Sequence, residues 1–186
     1  MVTTHSIPVV DLAAFTKGDA ASKAAFVQQL GKAYAVKNHG IPDKLIEDLY
    51  KYVQQFFALP ADIKHSYEIP ELAGQRGYTS FGKEHAKGFD APDLKEFFQF
   101  GQTVTDGDPI AKEYPDNVAV KELPAFTPTC TEAYKAFETS GISLLQAIAL
   151  YLGLDEHYFD QFVHNGNSIL RAIHYPPIKE EPKSAI

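Results

Sequence analysis

Arginine is scarce in this chain: only Arg76 and Arg171 stand among its 17 basic side chains, against 24 acidic ones, for a net charge of −7 over 186 residues. A fold that binds nucleic acid carries a basic surplus and an arginine-bearing face, so nucleic acid is not an expected partner. With so few arginines, each is a candidate for a fixed carboxylate contact. A single cysteine, Cys130, cannot close an internal disulfide, which excludes a secreted disulfide scaffold. The stretch VTTHSIPVVD after Met1 lacks a charged n-region and a long apolar h-region. No run approaches the roughly 20 apolar residues that a membrane span needs. The expectation is a soluble protein of a reducing compartment, cytoplasmic, with no membrane partner.

What is present is a globular composition, 45% hydrophobic and 12% aromatic, with 13 Phe and 10 Tyr carrying the rings. The length suffices for a sizeable core, as one domain or a domain and a fraction. SIPVVDL reads as an opening strand. A helix follows, capped by Asp19, with Phe26, Leu30, Ala33 and Tyr34 on one stripe. Gly40 and Pro42 break it, leaving room for a short strand at 34–38. Pro42 and Asp43 start a second helix whose apolar face is Leu45, Leu49, Val53, Phe56 and Phe57, and Pro60 opens a shorter one.

The Gly-rich stretch 70–92 reads as a loop with one edge strand. DLKEFFQFG reads as a strand with Leu94, Glu96, Phe98 and Phe100 on one side and Lys95, Phe97 and Gln99 on the other. Lys95 and Glu96 have a plain reading as a solvated edge. After a Pro-rich loop, a long helix carries the stripe Tyr134, Phe137, Gly141, Leu145, Ile148 and Leu152. A short helix, DEHYFDQFV, precedes the last strand, SILRAIHY, which sets Ile169, Arg171, Ile173 and Tyr175 opposite Leu170, Ala172 and His174. Most of these strands have no evident partner within the chain.

Seven histidines invite a test for metal. A mononuclear oxygen-activating iron site needs two His and one carboxylate on one face of the ion, often delivered on a strand as His-x-Asp or His-x-Glu. None of the seven has an acid two residues on, so that signature is absent. His157, Asp160 and His164 share one helical face and are a candidate zinc or iron set, against the plainer reading of an exposed polar face. Cys130 near a helix start is read as a small buried residue, since no base stands at recognisable spacing. GQRGYTSFG is not a phosphate loop, lacking Lys-Ser/Thr after its final Gly. Arg171 and Tyr175 share a strand face about 13 Å apart, so both can line one pocket without meeting on one carboxylate.

In order along the chain stand IPVVDL, GKAYAVKNHGIP, FFALPADIK, RGY, DLKEFFQFG, ALYLGL and LRAIHYPP. In this order they resemble the N-terminal part of the isopenicillin N synthase-like family of iron(II)- and 2-oxoglutarate-dependent oxygenases. The resemblance implies an α+β fold: the helix-rich N-terminal region of a double-stranded β-helix (jelly-roll) oxygenase, with the barrel itself largely missing from this chain. It implies an N-terminal region over 1–125, then a long helix and first strand over 126–186 leading into the oxygenase core. Fe(II) and 2-oxoglutarate are implied for the parent family, with a small-molecule substrate.

In the family the His-x-Asp pair follows the YPP strand, so the chain is expected to end before the metal ligands and to carry no catalytic or metal residue of its own. Tyr175, matching the Tyr of that strand, is implied to face co-substrate or substrate, and is taken as a co-substrate contact. Arg171, on the same strand, is implied to lie nearer the substrate, and Arg76 in RGY is a candidate for the substrate mouth. Where many plant members have Asn two residues before the Tyr, this chain has Ile173, so contacts of that Asn do not carry over. Asn38 and His39 read as structural, the Asn tolerating a turn and the His satisfying backbone groups.

Two main readings therefore stand, beside a third of a helical metalloprotein built on His157, Asp160 and His164. One is an oxidoreductase polypeptide, inactive alone. The other is a catalytically inactive short form acting as a binding module, with self-association through unpaired strands such as SILRAIHY. Either way, apolar faces made to pack on a missing barrel predict poor stability or aggregation.

Overall fold

The computed structural model describes residues 7–85 and 93–177. Residues 86–92 of the Gly-rich stretch and the tail IKEEPKSAI lie outside the described residues. Two compact units divide the chain: Met1–Asp43 with Lys135–Gly166, and Lys44–Tyr134 with Asn167–Ile186.

In the first unit, β1 (Val9–Asp11) pairs in parallel with β2 (Ala35–Lys37). A parallel pair needs a crossover, which α1 (Leu12–Thr16) and α2 (Ala20–Leu30) supply. Both helices begin on aspartate caps. The Ala13 N–H donates to Asp11 Oδ1 at 3.0 Å, and the Ser22 N–H donates to Asp19 Oδ1 at 2.8 Å, satisfying amides that the first turn leaves without partners. Val10, Leu12, Phe15, Phe26 and Ala147 form the core, with Leu30 and Ala33 packed against it. Tyr34, expected on that stripe, is instead 87% exposed, because α2 stops at Leu30 and Tyr34 lies outside the helical register. Asn38 adopts a left-handed backbone (φ 52°) and donates to Asp11 Oδ2 at 2.6 Å, while His39 Nδ1 accepts from the Ile41 N–H at 3.2 Å. Both are structural, as read from the sequence.

The second unit takes all but the first residue of α3 (Asp43–Phe57), then α4 (Ala61–His65), and a three-stranded antiparallel sheet ordered β3 (Gly77–Thr79), β4 (Glu96–Gly101), β5 (Ile169–His174). Tyr78 faces Phe98, and Phe98 faces Ala172. β4 is central and all six of its residues are buried. Phe98 and Phe100 meet Phe56, Phe126 and Cys130 in the core. The Phe56 and Phe126 rings are stacked at 5.1 Å, and Phe98 stands edge-on to both.

Among the described residues each strand expected to be without a partner pairs with at least one other, β5 standing at the edge of its sheet. The one partner of β5, β4, lies far back in the sequence, and local patterning carries no information about such pairing. The long helix, α5 (Phe126–Tyr151), contributes to both units. Its buried residues are Phe126, Cys130, Ala133, Tyr134, Ala147 and Ala149, whereas Phe137 is 49% and Leu152 is 58% exposed. A single stripe fails there because the two ends of the helix serve different cores. Among the described residues no helix is long and apolar enough to cross a membrane.

Candidate functional site

Pairing β5 with β4 sets Arg171 directly across from Gln99, and Ile173 across from Phe97. The Arg171 Nε–H donates to Gln99 Oε1 at 2.8 Å, and the guanidinium lies over the Phe97 ring at 4.2 Å. Gln99 is itself anchored by donating to the Gly74 carbonyl. Arg171 is thus held by a stack on one plane and a bond on one edge, while its Nη1 lies 3.5 Å from Glu84 Oε2. A cation fixed in this way loses little freedom when it meets a ligand. It lines a cavity of about 510 Å³ with Ile69, Thr79, Phe97, Gln99 and Ile169 among its walls, a size suited to a small organic molecule.

Charges around the cavity are largely paired. Glu68 accepts from Lys83 Nζ at 2.5 Å and from the Ser80 N–H at 3.1 Å. Burial pushes its carboxyl up, but these donors and His65 outweigh it and hold it at about 2. Lys95 bridges Asp93 at 2.7 Å and Glu84 at 2.9 Å, and those bonds hold its ammonium above the usual lysine range.

On the other face of the sheet, Glu96 is buried rather than solvated. Its carboxylate accepts from Lys64 Nζ at 2.7 Å and from the Tyr78 hydroxyl, and His174 Nδ1 lies 2.8 Å from its other oxygen. Burial pushes this carboxyl up, and the three donors hold it below the usual range. For the Tyr78 phenol, burial and the same carboxylate act together, upward. Nothing in the spacing of Lys64, Tyr78, Glu96 and His174 announced this cluster. A single signal existed, Glu96 on the face of Phe98 and Phe100. Phe97 and Gln99 were legible as a second face, but not as the bed for Arg171.

Of the residues singled out from the sequence, Arg171 alone lines the cavity. Tyr175 follows the end of β5 and is 67% exposed. Arg76 is 0% exposed, not at an open mouth. Its Nη1 donates to the Gln75 carbonyl at 2.8 Å, and burial lowers its pKa. His157 and Asp160 do meet, at 2.7 Å, but α6 (Asp160–Val163) ends before His164, and no group of three or more His, Cys, Asp or Glu able to hold a metal exists among the described residues. The helical metal set is therefore corrected to an exposed ion pair, which raises the His157 pKa. Cys130 is fully buried, and burial pushes its thiol up.

A parallel strand pair joined by a helical crossover, and a three-stranded sheet whose last strand is ILRAIH, have known counterparts. Residues 7–122 match the family described as non-haem dioxygenase in morphine synthesis, N-terminal, and the chain belongs to that family. Among individual proteins, it is similar to the 2-oxoglutarate-Fe(II) type oxidoreductase hxnY of Emericella nidulans, 28% identical over 95% of this chain and 55% of that protein. It is also similar to Validamycin A dioxygenase of Streptomyces hygroscopicus, 31% identical over 84% of this chain and 46% of the relative. Among solved structures, a 2OG-Fe(II) oxygenase family protein from Caulobacter crescentus superposes with a TM-score of 0.81 at 34% identity, over 96% of this chain and 59% of that one. A full-length Neurospora crassa protein, crystallised in complex with alpha-KG and thymine, does so at 0.73 and 28%, over 91% and 55%. The chain spans about half the length of the curated relatives it matches.

Proposed function

We propose that this chain is the N-terminal scaffold and one pocket wall of an iron(II)/2-oxoglutarate-dependent dioxygenase acting on a small molecule. The jelly-roll barrel and the iron ligands then belong to polypeptide beyond the described residues. The observation that carries the reading is Arg171, stacked on Phe97 and bonded to Gln99 at the wall of a ligand-sized cavity, in a chain of this family. Arg171 is the substrate contact, Tyr175 the co-substrate contact, and Arg76 a further substrate contact.

The donor set present does not fit the iron, since no three candidate ligands come together among the described residues. No step is therefore assigned to the metal here. What the chain's own residues do is bind and orient: the fixed guanidinium locates a polar group of the substrate, and Phe97 and Ile169 shelter its apolar body from water.

The test is the intact mass of the natural protein, followed by succinate formation from 2-oxoglutarate with added Fe(II). A natural mass well above 20.6 kDa, with turnover that falls at least tenfold in Arg171→Gln, is the expected outcome. A natural mass of 20.6 kDa without turnover would replace this reading with that of a binding module.

A further inference from the structure

We infer that Glu84 sets the class of substrate taken at Arg171: the group received is a neutral amide, and a carboxylate is turned away. The amide oxygen accepts from Arg171 and the amide N–H donates to Glu84. This rests on the reading of Arg171 as a substrate contact and adds the chemistry of the group it meets.

Taken alone, a fixed guanidinium suits a carboxylate. Its surroundings argue otherwise. Four charged side chains line the cavity, Glu68, Lys83, Glu84 and Arg171, two of each sign. Lys83 Nζ lies 2.5 Å from Glu68 Oε2, and Arg171 Nη1 lies 3.5 Å from Glu84 Oε2. Each cation on this wall already faces an anion, so no positive charge is left over to balance an incoming carboxylate.

Glu84 is also held where it stands. Its Oε2 lies 2.9 Å from Lys95 Nζ, and Lys95, with 15% of its side chain exposed, meets Asp93 at 2.7 Å. Swinging Glu84 aside would strip that ammonium of one of its two acceptors in a largely buried place. A substrate carboxylate bonded to Arg171 would therefore stand beside a second, anchored carboxylate, and like charges so placed repel.

The atoms left over define the class. On Arg171, Nε donates to Gln99 and Nη1 faces Glu84, while Nη2 has no partner among the described residues. On Glu84, Oε2 is shared by two cations, and Oε1 has no side-chain partner among the described residues. A spare donor beside a spare acceptor complements an amide that presents its carbonyl and its N–H on one edge. A primary carboxamide, a lactam and an imide all present that edge, and none carries a charge. Phe97 and Ile169 in the same wall accommodate an apolar body attached to it.

Benzamide and sodium benzoate share a shape and differ in charge, which makes them the probes. Each is titrated by calorimetry into the natural protein at neutral pH and equal ionic strength. The binding that Arg171→Gln removes is the binding counted. Benzamide should bind at least roughly tenfold tighter than benzoate, a modest yield from like-charge repulsion at a partly exposed site. Glu84→Gln keeps an acceptor oxygen and removes the charge. Benzoate should then gain at least roughly tenfold, while benzamide changes by less than about threefold. Three results overturn the inference: benzoate bound as tightly as benzamide by the wild type, a ratio that Glu84→Gln leaves unchanged, or no Arg171-dependent binding of either probe. Succinate formation is measured separately. Loss of the charge preference with succinate still formed strikes this inference alone, and the preference without succinate strikes the oxygenase reading alone.

Discussion

Glu96 and His174 sit directly opposite each other across β4 and β5, with His174 Nδ1 2.8 Å from Glu96 Oε1. That cross-strand pair is one arm of a knot. Through the same carboxylate, Lys64 ties α4 to β4, and Tyr78 ties β3 to it. The end of β5 that leads on to Tyr175 is therefore fastened to the middle of the sheet by a buried charge.

Removing that charge should be costly. In Glu96→Gln, Lys64 keeps its ammonium with only 11% of its side chain exposed but loses its counter-ion. Leaving one member of a buried pair alone typically costs about 3–5 kcal/mol, measurable as a fall in the urea midpoint at constant slope. A loss below about 1 kcal/mol would mean that Lys64 reaches water when Glu96 is neutral.

Acid should unfold the second unit through its carboxylates. Burial pushes Glu68 up, yet Lys83, the Ser80 amide and His65 bring it from its ordinary 4.5 down to about 2, and Glu96 is lowered in the same sense. A carboxyl whose pKa is lower in the folded state adds stability at pH above its unfolded value and loses it as pH falls through the folded one. Stability should therefore decline as pH drops below 4.5, and for Glu68 the decline continues to about 2. Glu68→Gln should lower stability at neutral pH and flatten this acid limb. Parallel pH profiles for the two proteins would overturn the assignment.

Two glycines should respond in opposite directions to alanine. At Gly101 a Cβ would lie 2.0 Å from the guanidinium of the fully buried Arg76. Gly101→Ala should then cost about 1–3 kcal/mol from overpacking. Gly141, inside α5, has nothing within 4 Å of its virtual Cβ, so Gly141→Ala should stabilise by about 0.5–1 kcal/mol through helix propensity alone. Chemical denaturation of both variants checks the pair.

What the sequence revealed and concealed follows physical lines. The Asp19 cap, the Phe56–Phe57 helix face and the alternation along β5 were legible because each is a local pattern with a fixed period. Tyr34 misled because a helix end shifts a stripe without changing its composition. The partners of β5, the Phe97–Gln99 bed under Arg171 and the Lys64–Tyr78–Glu96–His174 cluster were not legible, since each joins residues that only long-range pairing brings together. Arg76 was legible as scarce but not as enclosed. A loop position says nothing about whether the chain will close over it.

Cys130 gives a direct reading of how firmly the second core is closed, and thereby of the expectation that this chain alone is poorly stable. Its thiol is 0% exposed among Phe56, Phe98, Phe100 and Phe126, and burial keeps it protonated. Only the thiolate attacks a disulfide reagent, so reaction must wait for the start of α5 to open. As the single cysteine, it gives an unambiguous signal. Labelling in native buffer should be about 1000-fold slower than in urea, corresponding to an opening free energy of about 4 kcal/mol. Labelling within about tenfold of the urea rate would mean that the aromatic core opens freely and that the apolar surface of this chain needs further polypeptide to stay closed.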